Sequence, residues 1–393
     1  MVKLPANFGT GWPPNAMRIG LALGWLSGFD EALVQGIAGY ARPKRPWTFD
    51  RCYSTHEQFS QLVARRPDGI LVGSSDPALL TWISKFKIPI VNLHACPKRL
   101  PMSFVGSDDL AVGRMAAAHF VNRGHVHFAF FGRESGEVRN ERLAGFRAEA
   151  EAFGKDCAFF DGKKIHSAFA TCKAESLLSE WLQSLPKPVG IFCASDEDAW
   201  IVVDRCMRLG LTVPEDAAVL GADNDAVTCV FGNPALSSVQ TAGRKIGYEA
   251  SRILDQMMNG TSRRRVTLRV PPVRVVTRQS TDSMGTRDEL TRRALEYMQR
   301  RLSDARGIER LSQHLNCSRR MLERRFEATT LLAPADAWLR FQAEEAARLL
   351  AEDEVPLSLV GELCGLNTPK LFSKAVRAAT GLTPLRFRRH AAP

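Results

Sequence analysis

From residue 18 to about residue 276 the chain alternates two patterns. Short runs that are apolar throughout (18–23, 69–73, 88–93, 126–131, 189–193 and 217–221) are separated by longer stretches with apolar residues every three or four positions (31–40, 110–122, 142–153, 174–184, 199–209 and 244–258). Uninterrupted apolar strands alternating with amphipathic helices predict parallel sheets covered on both faces. Ligands of such sheets sit past the carboxyl ends of the strands. Chemistry is therefore expected in the loops at 24–29, 74–76, 133–140, 195–198 and 223–225.

Past a polar stretch at 279–286 the strand pattern stops. Helical periodicity takes over at 288–302, 308–315, 318–329, 335–351, 357–364 and 368–380, with a short tail from Pro384. Two segments, 308–326 and 357–376, share one grammar. Each reads as a short amphipathic helix, a tight turn, a hydroxyl residue suited to N-capping (Ser318 and Thr368) and a basic second helix. The two caps stand 50 residues apart, and a long helix around 338–350 fills the interval.

A second helix that enters a major groove needs an apolar inner face and long polar side chains outside. In the first copy Met321, Leu322 and Phe326 suit the inner face, and Ser318, Arg319, Arg320, Glu323 and Arg324 the DNA side. In the second, Leu371, Phe372 and Val376 are expected to pack, while Lys370, Ser373 and Lys374 face out and Arg377 meets phosphate. The double pattern predicts a partner in double-stranded operator DNA.

Composition sharpens this picture. At 393 residues the chain is too long for one core, so at least two domains are expected. A net charge of +11 favours a polyanionic partner. Nine scattered Cys include no Cys-x-x-Cys pair, and His125 and His127 have no metal-ligand company, so no metal site is assigned. There is no phosphate-cradling Gly-rich loop and no Gly-x-Ser-x-Gly elbow, so no catalytic residue or cofactor is assigned either. The acidic run Asp196-Glu197-Asp198 suits a helix N-terminus better than paired acid–base work. No stretch approaches the roughly 20 apolar residues of a membrane helix, and residues 1–15 lack an apolar secretion core; a cytoplasmic location without membrane contact is expected.

The doubled unit, with the closing Gly381-Leu382-Thr383-Pro384-Leu385-Arg386-Phe387-Arg388, resembles the AraC/XylS family of bacterial transcription regulators. Leu331 departs from it, standing where the family often has Gly. Upstream, Arg123-Gly124-His125 with 126–130, Arg142-Leu143-Ala144-Gly145-Phe146, Ala194-Ser195-Asp196 and 219–224 resemble the periplasmic-binding-protein-like effector domain of LacI-type repressors. The combination is similar to the regulators of xylose operons.

These resemblances imply an α/β fold: a two-lobed LacI-type sensor with parallel sheets, followed by an all-α double helix-turn-helix domain. The expected order is an N-terminal extension at 1–16, a sensor at 17–278, a linker at 279–286 and a reader at 287–393. The sensor's lobes are expected at 17–122 with 237–265 and at 123–236 with 266–278. A cut near Gly285 is then expected to separate ligand binding from DNA binding.

The resemblance further implies a small sugar effector, xylose-like, taken between the lobes. Arg142, Ser195 and Asp223 occupy positions that meet sugar hydroxyls, with Asp108 beside them and Trp25, Phe29 and Trp200 as ring platforms. Three of these have a plainer use: Asp108 as a helix cap, Arg142 as partner of a carboxylate, Trp200 as packing. A homodimer and contact with RNA polymerase complete the expected partners. A sugar-binding transport component, or a sugar-active enzyme with an accessory nucleic-acid-binding domain, is the alternative.

Overall fold

A computed structural model describes residues 16–24, 27–41, 47–94, 102–133, 136–161, 172–261, 264–304, 307–352 and 355–391. The N-terminal extension, apart from residue 16, and Trp25 lie outside the described residues.

The chain begins with β1 (Met17–Leu23), α1 (Gly28–Ala41), β2 (Trp47–Tyr53), α2 (His56–Ala64), β3 (Gly69–Val72), α3 (Pro77–Ile83), β4 (Ile90–Asn92) and β5 (Ser103–Ser107). It continues through α4 (Asp109–Asn122), β6 (Phe128–Gly132), α5 (Glu137–Ala152), β7 (Cys157–Asp161), α6 (Cys172–Ser184), β8 (Val189–Cys193), α7 (Asp196–Arg208), β9 (Ala217–Ala222), α8 (Ala226–Phe231) and β10 (Ser237–Gln240). Then come α9 (Gly243–Met258), β11 (Thr267–Val270) and β12 (Arg274–Val276).

Two compact units result: residues 1–106 with 243–269, and residues 107–242 with 270–393. The first holds a sheet of order β11-β5-β4-β3-β1-β2, in which β1 to β5 pair in parallel. Helix starts follow local chemistry. Thr55 caps α2, and Asp76 caps α3 with Pro77 as its first residue.

The second unit holds a sheet of order β12-β10-β9-β8-β6-β7, parallel except that the edge strand β12 runs antiparallel to β10. Alternate residues of β8 and β9 serve opposite faces. Ile191 and Val219 join one buried cluster with Leu178, Leu182 and Val203; Phe192 and Leu220 join another with Val112, Phe120 and Phe146. Because both faces are covered, these strands are apolar at every position.

The expected lobe boundaries need correction at each crossing. α4 belongs to the second unit, since Val112, Ala116 and Phe120 pack with Phe128, Phe146 and Phe192, so the first crossing falls after Gly106 rather than after residue 122. β10 pairs with β9, which moves the return past Ala242, and the last crossing follows Arg269.

The stretch at 279–286, expected as a linker, is stitched into the second unit. Its first residues, 279–281, form a 3-10 turn in which Ser280 and Thr281 are fully buried. Ser280 Oγ donates to Val219 O at 2.6 Å, Ser237 N–H donates to Ser280 Oγ at 2.8 Å, and Gly285 N–H donates to Arg123 O at 2.8 Å. Polar side chains signalled a loop in the sequence; here Ser280 binds backbone groups of the interior strands β9 and β10.

The remainder is helical: α10 (Glu289–Arg300), α11 (Gly307–His314), α12 (Arg319–Thr330), α13 (Pro334–Glu352), α14 (Leu357–Leu363), α15 (Pro369–Thr380) and α16 (Pro384–Ala391). α13 packs on α14, α15 and α16 and also touches α10 and α12. The core is continuous with the lobe. Ala294, Leu295, Met298, Leu311, Leu322, Phe326 and Trp338 belong to the same buried cluster as Phe120, Phe128 and Phe146. No helix among the described residues is long and apolar enough to cross a membrane.

Candidate effector and nucleic-acid sites

In the second unit α4 and α5 meet backbone to backbone. A Cβ on Gly113 would lie 2.0 Å from Arg142 O, and one on Gly145 would lie 2.1 Å from Leu110 O. This approach sets Asp109, the first residue of α4, against Arg142 on α5.

Arg142 is 4% exposed, and its guanidinium holds three partners. Nε donates to Asp109 Oδ1 at 2.8 Å, and Nη1 donates to Ala194 O at 2.6 Å. Nη1 and Nη2 also take the two oxygens of Asp223, at 3.1 and 2.9 Å. Burial opposes its charge, but Asp223 and Asp109 outweigh burial and hold its pKa above the ordinary guanidinium value. Burial pushes Asp109 up to about 6, against the pull of Arg142.

Asp223 follows β9 with φ 96° and Asn224 with φ 55°, two consecutive non-glycine residues in a sparsely occupied region. Such strain persists only where the surroundings enforce it. Here Arg142 holds the Asp223 side chain, Ser238 Oγ accepts from Asn224 N–H at 2.9 Å, and Arg278 donates to Asn224 Oδ1 at 2.9 Å. The Asp223 side chain keeps 22% exposure, so it can still accept hydrogen bonds from outside.

Beneath it lies Asp196, 3% exposed, which accepts from Asp225 N–H at 2.7 Å. Burial pushes its carboxyl up to about 7. A Cβ on Gly221 would sit 2.2 Å from its Oδ1, so β9 needs glycine there.

The structure thus joins Arg142 and Asp223, so that Arg142 also has the carboxylate partner of its plainer reading, and two other predicted ligands serve as helix caps. Asp108 caps α4, accepting from Ala111 N–H at 3.0 Å, and Ser195 caps α7, accepting from Asp198 N–H at 3.2 Å. Trp200, on the outer side of α7, is 56% exposed and is not a core residue. Arg133 ties down the acidic start of α7, with Nε donating to Asp198 Oδ1 at 2.5 Å.

In the first unit the Phe29 ring lies 5.6 Å from the His94 ring, and His94 Nε2 stands 3.4 Å from Asp30 Oδ1. Asp30 is 4% exposed, and Ser27 Oγ donates to its Oδ2 at 3.2 Å. Sequence reasoning missed Asp30, His94, Asp109, Asp196 and Arg133 as site residues. His94, Asp109, Arg133 and Asp196 lie within three residues of a strand end, so the strand pattern could have flagged them, whereas Asp30 lies in the first turn of α1, seven residues past β1. Among the described residues no group of three or more His, Cys, Asp or Glu could hold a metal ion.

The two helix-turn-helix units share their caps in detail. Ser318 accepts from Met321 N–H and Thr368 from Leu371 N–H, both at 3.2 Å. At the far ends Thr330 Oγ1 donates to Phe326 O at 2.8 Å and Thr380 Oγ1 to Val376 O at 2.7 Å. Arg319, Arg320, Arg324, Lys370, Lys374 and Arg377 are exposed, with Glu323 and Ser373 half-buried. Arg319 Nε donates to Glu323 Oε1 at 2.8 Å, so these two face outward as a pair.

Met321 and Leu371, expected inside, are each 38% exposed. The inner face is narrower than their apolar character suggested: Leu322 and Phe326 fill it in the first copy, Val376 and the half-buried Phe372 in the second. Lys374 also lines a cavity of about 890 Å³ between α15, α13, α4 and β12.

The lobe and the reader meet through charged groups as well. Arg123, which ends α4 and is 3% exposed, has a guanidinium nitrogen 3.6 Å from Glu344 on α13. Asn122 donates to the same Glu344 and accepts from Arg340 at 3.2 Å.

Residues 117–281 match the periplasmic binding protein-like domain, and residues 311–390 match a helix-turn-helix domain. A xylose operon regulatory protein of Haemophilus influenzae is 26% identical over 92% of this chain and 95% of its own length. One from Escherichia coli K12 is 26% identical over 94% and 96%. A solved structure of the xylose-binding transcription activator XylR is similar over 96% of this chain and 98% of that one, with a TM-score of 0.61 and 24% identity. The two α/β sheets, the matched domains and the doubled capped helices converge: in this chain a periplasmic-binding-protein-like domain precedes a helix-turn-helix domain, and its likeness to xylose operon regulatory proteins runs over nearly its whole length.

Proposed function

We propose that this chain is a sequence-specific DNA-binding regulator of a carbohydrate-utilisation operon, controlled by a small neutral sugar. The observation that carries the reading is the union of two features in one compact unit: the strained, half-open Asp223 carboxylate held by Arg142, and two basic helices capped in the same way. An ionised carboxylate accepts from paired vicinal hydroxyls. In this arrangement Arg142 spends its fork on Asp223 and Asp109 and orients the acceptor rather than donating both arms to the sugar. Ser195 and Asp108 act through the helices that they cap, and the Phe29 and Trp200 rings are the platform candidates among the described residues.

Xylose is the first sugar to test, because relatives across nearly the whole chain carry that sugar in their names. The work is that of a cytoplasmic homodimer. Val227, Val230 and Phe231 on α8, 66%, 63% and 84% exposed, supply an apolar face of the kind that self-association covers. RNA polymerase contact at the promoter is part of the same proposal.

The test is a thermal-shift screen of pentoses and hexoses with the full chain, alongside selection of binding sites from random duplex DNA. A sugar that binds only the folded protein raises its apparent stability. If no sugar shifts the transition at millimolar concentration, the effector half of the proposal fails. If no sequence is enriched, the DNA half does.

A further inference from the structure

The two recognition helices superpose in sequence at an offset of 50 residues, and almost every apolar position in the repeat has an internal structural use. Leu322 and Phe372 point inward, as do Phe326 and Val376; Leu331 and Gly381 form the left-handed ends, and Pro334 and Pro384 open the helices that follow. Within the recognition helices one aligned pair of large apolar residues has no such use. Met321 and Leu371 each stand three residues past the cap and are each 38% exposed.

Their placement is fixed. The N–H of each is the group that the cap side chain accepts, at 3.2 Å in both copies, so both lie in the first turn of their helices. Residues three apart share a helical face, so Met321 sits beside Arg324 and Leu371 beside Lys374. One residue before them, on the adjoining face, stand the exposed Arg320 and Lys370. Each apolar side chain therefore has exposed basic groups at its side, which suits the edge of a DNA duplex.

Resting on the DNA-binding reading above, we propose that Met321 and Leu371 are specificity-determining residues, each reading the C5 methyl group of a thymine in the major groove. Thymine alone among the four bases presents a methyl there, and apolar side chains recognise it by excluding water. A neighbouring Arg or Lys takes phosphate or a guanine edge. The operator then carries two thymines that matter for their methyl groups, one in each of the two segments that the recognition helices enter.

The experiment uses the full-length protein and the site enriched from random duplexes. Each thymine is replaced singly by deoxyuridine, which removes the methyl and leaves the hydrogen-bonding edge intact. At one thymine in each segment affinity should fall about fourfold, the equivalent of ~0.8 kcal/mol for one buried methyl. Met321→Ala should abolish the deoxyuridine effect in one segment only, and Leu371→Ala in the other. Both residues are exposed, so the variants should fold, and unchanged affinity for random duplex DNA would verify it. The proposal is overturned if no thymine responds to loss of its methyl, or if the responses persist at full size in both variants. If no site is enriched at all, the DNA-binding reading falls first and this one with it.

Discussion

Leu331 and Gly381 end the two recognition helices in the same left-handed conformation, at φ 60° and φ 74°. Each N–H donates to the carbonyl four residues earlier, Glu327 in one copy and Arg377 in the other, at 2.9 and 2.8 Å. Glycine adopts this region freely, whereas a leucine pays roughly 1–2 kcal/mol there. Leu331 is 49% exposed and loses little packing on truncation. Leu331→Gly should therefore stabilise the protein by about 1 kcal/mol after allowance for the freer unfolded chain. A denaturation midpoint that stays put or drops would contradict the strain argument.

Arg142 separates two carboxylates that would otherwise face each other in a buried place. Arg142→Gln leaves Asp109 and Asp223 without their cation, and a loss of about 3–5 kcal/mol is expected. Arg142→Lys should rescue only part of it, since an ammonium cannot span two carboxylates and the Ala194 carbonyl as a planar fork does. Urea melts of the three proteins decide the point, and full rescue by lysine would refute it.

Asp196 predicts a pH dependence of definite sign. Burial raises its carboxyl from the ordinary 3.8 to about 7 in the folded chain. Between those values the folded protein holds a proton that the unfolded chain has released, so stability falls as pH rises from about 4 to about 7 and levels off above. Asp109, raised to about 6, acts in the same direction over a narrower window. Asp196→Asn removes one titration and keeps the shape. Its stability relative to the parent should climb across that window, and parallel curves for the two proteins would defeat the assignment.

Glu344 supplies the counter-charge that Arg123 meets across the lobe–reader seam, at 3.6 Å. Glu344→Ala leaves a buried guanidinium short of a partner. The Glu344 side chain keeps 34% exposure, which screens the pair, so the cost should be about 1–2 kcal/mol. The more telling readout is DNA affinity with and without effector. α4 carries Asp109 at one end and Arg123 at the other, so loosening Glu344 should shrink the effector's influence on DNA binding at least threefold. An undiminished effector response would assign the seam to stability alone.

What could be read from residues alone was chiefly what is local. The caps at Asp108, Ser318 and Thr368 act across three residues, and each is marked by its own side chain. β3, β6, β8 and β9, buried along their whole length, announced themselves by having no polar position. β2 went unseen because its burial alternates along an edge strand, and β5 because Ser103, Gly106 and Ser107 interrupt its apolar run. The membership of α4 rests on glycines that touch a helix 30 residues away, which no periodicity reveals. Asp223 was legible from its place at a strand end. Asp109, the other carboxylate that Arg142 holds, was overlooked because Asp108, next to it, drew the assignment. Met321 and Leu371 were misplaced because an apolar residue at a helix flank looks the same in sequence as one at its centre.

The unbroken apolar core that runs from Phe120 and Phe146 into Leu295 and Phe326 sets a limit on modularity. A scissor cut near Gly285 would not release two self-sufficient cassettes but would leave matching greasy scars on both. Anyone grafting a foreign sensor onto this reader would have to bring along α4 and the Arg123–Gly124–His125 turn, where a Cβ on Gly124 would press within 2.9 Å of Leu295. Swapping either partner alone would strand greasy surface that only the other now covers.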